Sequence, residues 1–287
     1  MSLTSAEELK LKKKALDLRT NVLRMMKASR AGHVGGAMSS AEILTVLYFH
    51  IMNVSPENFK DNNRDRFVLS AGHKCLILYA ALAELGFIDY SVLDTYGSMG
   101  CLLPGHPNMK IPGVEANTGA LGHGLSISGG MAQGLKLNGS DARVFTVMGD
   151  GELAEGSNWE AFAAAAHHRL DNLLAFIDWN GLQIGGKTAD VMNYSPLTEK
   201  LEAFGWSVIN IDGHDLNAIV DAVTTASETK GKPTAVIAKT IKSKGLSFAE
   251  GKAGYHYWKA SDEEIAEAEA NLEQQRTELT AMEGGAE

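Results

Sequence analysis

Apolar residues along this chain fall into five short continuous runs, separated by longer stretches where they recur at helical spacing. The runs occupy 66–70, 142–148, 172–178, 206–211 and 234–239. They are short, rich in Val, Ile and Phe, and show no polar alternation, which predicts strands buried on both faces of a parallel sheet. Helical spacing appears at about 73–86, 122–138, 156–170, 196–204 and 215–230. Strand and helix alternate, so the expected fold is α/β: a parallel sheet of about five strands with helices on both faces.

Local signals refine the ends. Ser5 with Glu8 has the spacing of a capping box and predicts a long helix from about Ala6 to Ser29. A second front helix is expected from about Ser40 to His50, after a glycine-rich break. Ser195-Pro196 followed by Gly205 reads as a cap, a first-turn proline and a C-terminal stop. Ser261 with Glu264 opens a last helix whose acidic stretch, 262–269, reads as a solvated surface. No repeat or low-complexity linker divides the chain, so residues 1–287 are expected to form one domain with a helical front and an acidic C-terminal helix.

Composition narrows the class. Hydrophobic residues make up 45% and charged residues 21%, which excludes a disordered tail, a coiled coil and a fibre. No run of about 18 uncharged apolar residues occurs, so no membrane span is expected. The start lacks the basic and apolar regions of a secretion signal, and the two cysteines, Cys75 and Cys101, form no disulfide framework. Both point to the cytoplasm. In that compartment the glycosylation patterns at Asn53-Val-Ser55 and Asn138-Gly-Ser140 mean nothing. The net charge of −9 argues against nucleic-acid binding through phosphates. Glycine is the outlier: 30 residues, about a tenth, against a usual share of about 7%. Its clusters mark places where backbone approaches something closely.

In open α/β sheets ligands sit beyond the carboxyl ends of the strands. That singles out Ala71-Gly-His73, Gly149-Asp-Gly151, Asp178-Trp-Asn-Gly181 and, more loosely, the stretch after Lys239. Three phosphate-binding readings compete there. Gly149-Asp-Gly-Glu-Leu-Ala154 fits a dinucleotide fingerprint, but Asp150 would repel a pyrophosphate unless a cation lay between them. Gly181-Leu-Gln-Ile-Gly-Gly-Lys-Thr188 matches P-loop spacing, but no helical stripe follows to hold the phosphate. The third reading joins both places. Asp150 and Asn180, each just after a strand, would meet if those strands are neighbours, and a hard divalent cation wants such oxygen ligands together with diphosphate oxygens.

Gly149-Asp-Gly, about thirty residues and then Asn resembles the thiamine diphosphate motif. Ala31-Gly-His33, 67–73 (FVLSAGH), Pro104-Gly-His-Pro107, Thr118-Gly-Ala-Leu-Gly122 and Gly151-Glu-Leu-Ala-Glu-Gly156 resemble transketolase, in transketolase order. The resemblance runs from about residue 10 to 258, yet a transketolase is normally more than twice this length. The chain is similar to the N-terminal, diphosphate-binding subunit of a split transketolase.

That resemblance implies roles. Asp150, Asn180 and the carbonyl of Leu182 match metal ligands, for Mg²⁺ or another divalent cation such as Ca²⁺ or Mn²⁺. His73, Gly119, Ala120, Leu121 and Gly151 match contacts to thiamine diphosphate. Glu155 and Glu160 match acidic residues at a subunit seam beside the cofactor, and the tight packing of their alanine-rich helix supports this over a solvated face. His33, His106 and His256 match the substrate-handling histidines; His256 also matches a diphosphate contact, and His123 is a further candidate. His167 and His168, adjacent on a helix, read as structural. Gly181 stands where the family has Lys and is expected to loosen the turn.

The pyrimidine-binding domain and its activating glutamate have no counterpart here. The implied partner is therefore a C-terminal transketolase subunit, in an α2β2 heterotetramer acting on sugars or sugar phosphates. The implied activity is transfer of a two-carbon ketol unit from a ketose to an aldose. The rivals are the thiamine-dependent decarboxylase subunit of a 2-oxo acid dehydrogenase, deoxyxylulose-phosphate synthase, and a non-catalytic thiamine diphosphate-binding regulatory subunit.

Overall fold

A computed structural model describes residues 3–284. Five strands, β1 (Arg66–Leu69), β2 (Val144–Gly149), β3 (Leu173–Trp179), β4 (Ser207–Asp212) and β5 (Thr234–Lys239), form one parallel sheet in the order β1-β2-β3-β5-β4. All five expected runs are strands, within two residues at each end. Their unbroken apolar character has a physical cause: β2, β3 and β5 are covered on both faces. Phe145, Val147, Leu174, Phe176 and Val236 belong to one core, while Val144, Met148, Leu173, Ala175 and Ile177 belong to the other. Burying each such side chain stabilises the fold by roughly 1.5–3 kcal/mol.

The first core is roofed by α1 (Ser5–Ser29), α2 (Gly35–Ser39), α3 (Ala41–Val46), α4 (Cys75–Glu84) and, later in the chain, α8 (Leu216–Glu228). The second is roofed by α5 (Gly124–Leu137), α6 (Gly156–His167) and α7 (Leu197–Ala203). In that second layer Trp206 is 2% exposed, packs edge-on to Phe162 at 5.1 Å, and donates its indole N–H to the Phe162 carbonyl at 2.8 Å. The last helix, α9 (Asp262–Gly284), lies along α1. It is not wholly a solvated surface: Ile265, Ala268 and Leu272 are buried against the core, and Arg276 pairs with Asp17 at 3.0 Å. Among the described residues no helix is long and apolar enough to cross a membrane.

Several local expectations are corrected. The capping box of α1 is Thr4 with Glu7, because Thr4 is extended and takes the Glu7 amide on its hydroxyl at 3.3 Å, while Glu8 instead pairs with Lys12. Ser261 with Glu264 does form the expected reciprocal pair, at 3.1 and 3.2 Å. The single front helix from Ser40 to His50 is three pieces: α2, α3 and a wide π turn, Leu47–Ile51. The break falls where the Ser39 and Ser40 hydroxyls turn back to the Gly36 carbonyl and inward to Asp178. Pro196 sits at the N-cap of α7, not in its first turn, and Gly205 follows the helix at φ +91.

Two short contacts position the site. Ala31–Gly32 pairs antiparallel with Trp258–Lys259, which sets two segments over 220 positions apart side by side. Gly124 starts α5 so close to β1 that a Cβ there would lie 2.4 Å from Ser70 Cα. Gly124→Ala is therefore expected to destabilise the chain by about 1–3 kcal/mol through overpacking. Urea unfolding checks this, and an unchanged midpoint would mean that the junction yields freely.

Candidate active site

β2 and β3 are adjacent, in a register that sets Gly149 opposite Asp178, so the turns after them converge. Asp150 begins a tight 3-10 turn, Gly151–Ala154, and is 2% exposed. One carboxylate oxygen accepts the Gly151 amide at 2.8 Å, and the other accepts the Gly181 amide at 2.6 Å and the Thr188 hydroxyl at 3.0 Å. Burial, with Asp178 nearby, pushes its pKa up. Asn180 donates to Asp178 at 3.1 Å. Gly181 does not loosen its turn. It adopts φ +75, where a side chain would strain the backbone, and its N–H and C=O are both bonded.

These contacts dispose of the two rival phosphate motifs. Thr188 spends its hydroxyl on Asp150 and its amide on the Gly181 carbonyl, inside a small hairpin pairing Leu182–Gln183 with Gly186–Lys187. That hairpin, followed by the four-residue helix Thr188–Val191, is not a phosphate loop. The Gly149 turn spends the Gly149 amide on Glu152 and the Gly151 amide on Asp150.

Behind the turns lies a buried polar layer. Asp178, fully buried, accepts from Lys74 Nζ at 2.5 Å, Ser39 at 2.7 Å and the Thr240 hydroxyl. Burial opposes its charge, but the Lys74 ammonium and these donors hold its carboxyl below the usual range. Glu152 accepts from the Ser70 hydroxyl at 2.5 Å and the amides of Gly122 and Gly149 at 3.0 and 3.1 Å, and burial pushes its pKa up. Lys242, 2% exposed, has no carboxylate at ion-pair distance among the described residues. It donates to the Leu182 carbonyl at 3.1 Å and meets His256 Nδ1 at 3.2 Å. Burial, then Lys74, lowers its pKa to about 8, against the pull of Asp150 and Asp178.

A cavity of about 290 Å³ opens over this layer, lined among others by His33, His73, Gly119, Leu121, Asp150, Gly151, Asn180, Leu182 and His256. The His33 ring centroid lies 5.3 Å from that of His73, 5.4 Å from His256 and 6.2 Å from His106, whose ring also packs against Gly119. The 31–32 and 258–259 pairing creates this meeting. The fold thus gathers four expected histidines, three expected ligand positions and most of the expected glycine loop. It does not gather the rest. Ala120 and His123 are exposed and outside the lining. Glu155 caps α6 beside Gly122, and Glu160 lies further along that helix; both are exposed in this chain, not tightly packed.

The residues present fit a diphosphate with a divalent cation. Lys242 is a buried cation without a counter-anion, and Gln183 Nε2 is a buried donor without a partner beside Gly151. Asp150, Asn180 and the Leu182 carbonyl supply hard oxygen ligands, too few to complete an octahedron without ligand oxygens. Sequence reasoning missed Lys74, Glu152, Gln183 and Lys242. Glu152 and Gln183 had a signal in their motif positions, and Lys242 had one in its place after β5.

The histidine cluster has a consequence for stability. Burial, followed by Lys74 and the neighbouring imidazoles, lowers the His73 pKa to about 2, and burial with Lys242 lowers that of His256 to about 3. His33 is lowered by burial, His106 and Lys242. The unfolded chain takes up these protons near its ordinary value of 6.5, while the folded chain does not. The unfolded state therefore binds more protons as pH falls, and stability falls with it. The raised carboxyls of Asp150 and Glu152 act with the opposite sign. The cofactor-free chain should thus lose Tm between about pH 7 and about pH 5, and His73→Gln should flatten that slope. Thermal scans of both proteins check this, and parallel slopes would contradict it.

Comparison with known proteins agrees with this geometry. Residues 12–280 match the family described as transketolase, thiamine diphosphate binding domain. A separate chain of the apulose-4-phosphate transketolase of Phocaeicola vulgatus is 43% identical over 250 residues, covering 87% of this chain and 89% of that protein. The 6-deoxy-6-sulfo-D-fructose transketolase subunit SqwG of a Clostridium species is 41% identical over 272 residues, covering 94% and 99%. The solved transketolase of Campylobacter jejuni superposes with a TM-score of 0.84 at 32% identity, covering 91% of this chain but 42% of its own. The chain thus spans nearly the whole of the separate subunits and less than half of that solved enzyme. It belongs to the transketolase family, of which it carries the thiamine diphosphate binding domain.

Proposed function

We propose that this chain is the diphosphate-binding subunit of a two-chain transketolase, transferring a two-carbon ketol unit from a ketose or ketose phosphate to an aldose. The observation that carries this reading is the cluster of His33, His73, His106 and His256 around a pocket floored by Asp150 and Lys242. A polyhydroxylated sugar gives several imidazoles oxygens to manage. An oxo acid has no hydroxyl chain, which disfavours the decarboxylase reading. A purely regulatory subunit has no use for such a cluster.

In this reading Asp150, Asn180 and the Leu182 carbonyl hold Mg²⁺ or a similar divalent cation. Lys242, Gln183, Gly151, Gly119, Ala120, Leu121 and His73 hold thiamine diphosphate. When bound, that cofactor supplies the nucleophilic carbon and the electron sink. The chain's own work is to orient the sugar and move its protons. His33 and His256, kept from protonating by burial and nearby cations, are ready to accept a proton from a hydroxyl at neutral pH. His106, more exposed, faces the mouth. Glu155 and Glu160 border the seam with a second subunit, where an exposed side chain awaits a partner. That partner carries the pyrimidine-binding domain and its activating glutamate. The assembly is an α2β2 heterotetramer in the cytoplasm.

Two experiments test the reading. The purified chain alone should show no ketol transfer, and adding the pyrimidine-domain subunit should restore it; full activity without a partner would refute the two-chain assignment. His33→Ala should leave thiamine diphosphate affinity nearly intact in the assembled enzyme while lowering kcat/KM by roughly 10²–10⁴. Cofactor titration and transfer kinetics on that one variant decide the point. A joint fall would place His33 in the cofactor site or the fold, and no fall in either would remove its role.

A further inference from the structure

We infer that His214, outside the cavity, is a positioning residue for the cofactor pocket, acting through the strap 240–245. The inference rests on the proposed diphosphate site, since the strap carries Lys242. The strap leaves β5 and crosses the floor of the pocket. Thr240 bonds Asp178, Lys242 reaches the Leu182 carbonyl, and Ser243 donates its amide to the Gly35 carbonyl at 2.9 Å. Between these anchors the Ile241 side chain is 39% exposed, so packing holds it poorly. What holds it is its backbone N–H, which donates to His214 Nε2 at 2.9 Å.

His214 stands in the short turn between β4 and α8, and its own orientation is fixed from behind. Its Nδ1 meets Glu42 Oε2 at 2.9 Å. An amide can only donate, so Nε2 is the acceptor, and these partners assign the ring proton to Nδ1, facing the carboxylate. Arg19 clamps Glu42 through two bonds of 2.7 and 2.8 Å. The same guanidinium donates to the Lys244 carbonyl at 3.0 Å and the Met38 carbonyl at 3.1 Å. One buried cluster thus grips the strap at Ile241 through His214 and at Lys244 through Arg19. Lys242 is suspended between the two grips.

The two ring nitrogens separate a strap role from a merely structural one. The amide of Asn at position 214 reaches the place of Nδ1 and keeps the bond to Glu42. The amide of Gln reaches the place of Nε2 and can accept from Ile241. In the assembled two-chain enzyme, His214→Asn should weaken thiamine diphosphate binding about fivefold, the change that goes with one lost neutral hydrogen bond. It should also speed hydrogen exchange in peptides covering 240–245, while His214→Gln stays near the unaltered protein in both readouts. The inference is overturned if the two variants behave alike, if Asn is the better replacement, or if exchange rises throughout the chain. Failure of the unaltered enzyme to bind thiamine diphosphate would instead strike the cofactor reading, and the exchange comparison would still decide whether His214 holds the strap.

Discussion

A carboxylate with no exposed surface, Asp178 at the end of the central strand, is the contact on which the rest of the pocket is built. Burying such a charge is unfavourable unless every lone pair finds a donor, and removing one partner of a buried pair is strongly destabilising. Asp178 meets that demand by recruiting donors from four places: Lys74 before α4, Ser39 and Ser40 at the break between α2 and α3, Thr240 on the strap, and Asn180 two residues on. Each donor is next to a residue that faces the cavity. Satisfying one buried charge therefore fixes the positions of His73, Lys242 and the candidate ligand Asn180 together.

A second carboxylate does the same work on the other side. Glu152 ties the end of β1 to the Gly122 turn and to the end of β2. The two acids divide the scaffold between them, one with a lysine as partner and one with only neutral donors. This difference is why their pKa values move in opposite directions although both are buried.

The parts of this organisation that were legible in the sequence are those with a local signal. Five apolar runs became five strands because burial on both faces leaves no room for polar alternation. Asp150 and Asn180 could be paired because glycine-flanked polar residues after strands are conspicuous and neighbouring strands are the commonest connection. What could not be read has no local signature. The grip of His214 on Ile241, the pairing of Ala31–Gly32 with Trp258–Lys259, and the bond from Lys242 to Leu182 each join positions far apart by single contacts, which leave no period behind. The break at Ser39 and Ser40 escaped for a related reason: the helical spacing continues through it, and only the pull of Asp178 on their hydroxyls shows that the helix must stop.

The isolation of Lys242 from any carboxylate bears on selectivity. Lys74 and Lys242 are equally buried, but only Lys74 has its charge answered within the chain. A site with a buried group left to be matched discriminates by omission, because a molecule that lacks the matching group binds and leaves that group unpaired. On the proposed reading, the unphosphorylated vitamin would fit the same space yet leave the ammonium unanswered. The chain would thus distinguish the esterified from the free form without any steric exclusion, by a mismatch of charge and not of shape.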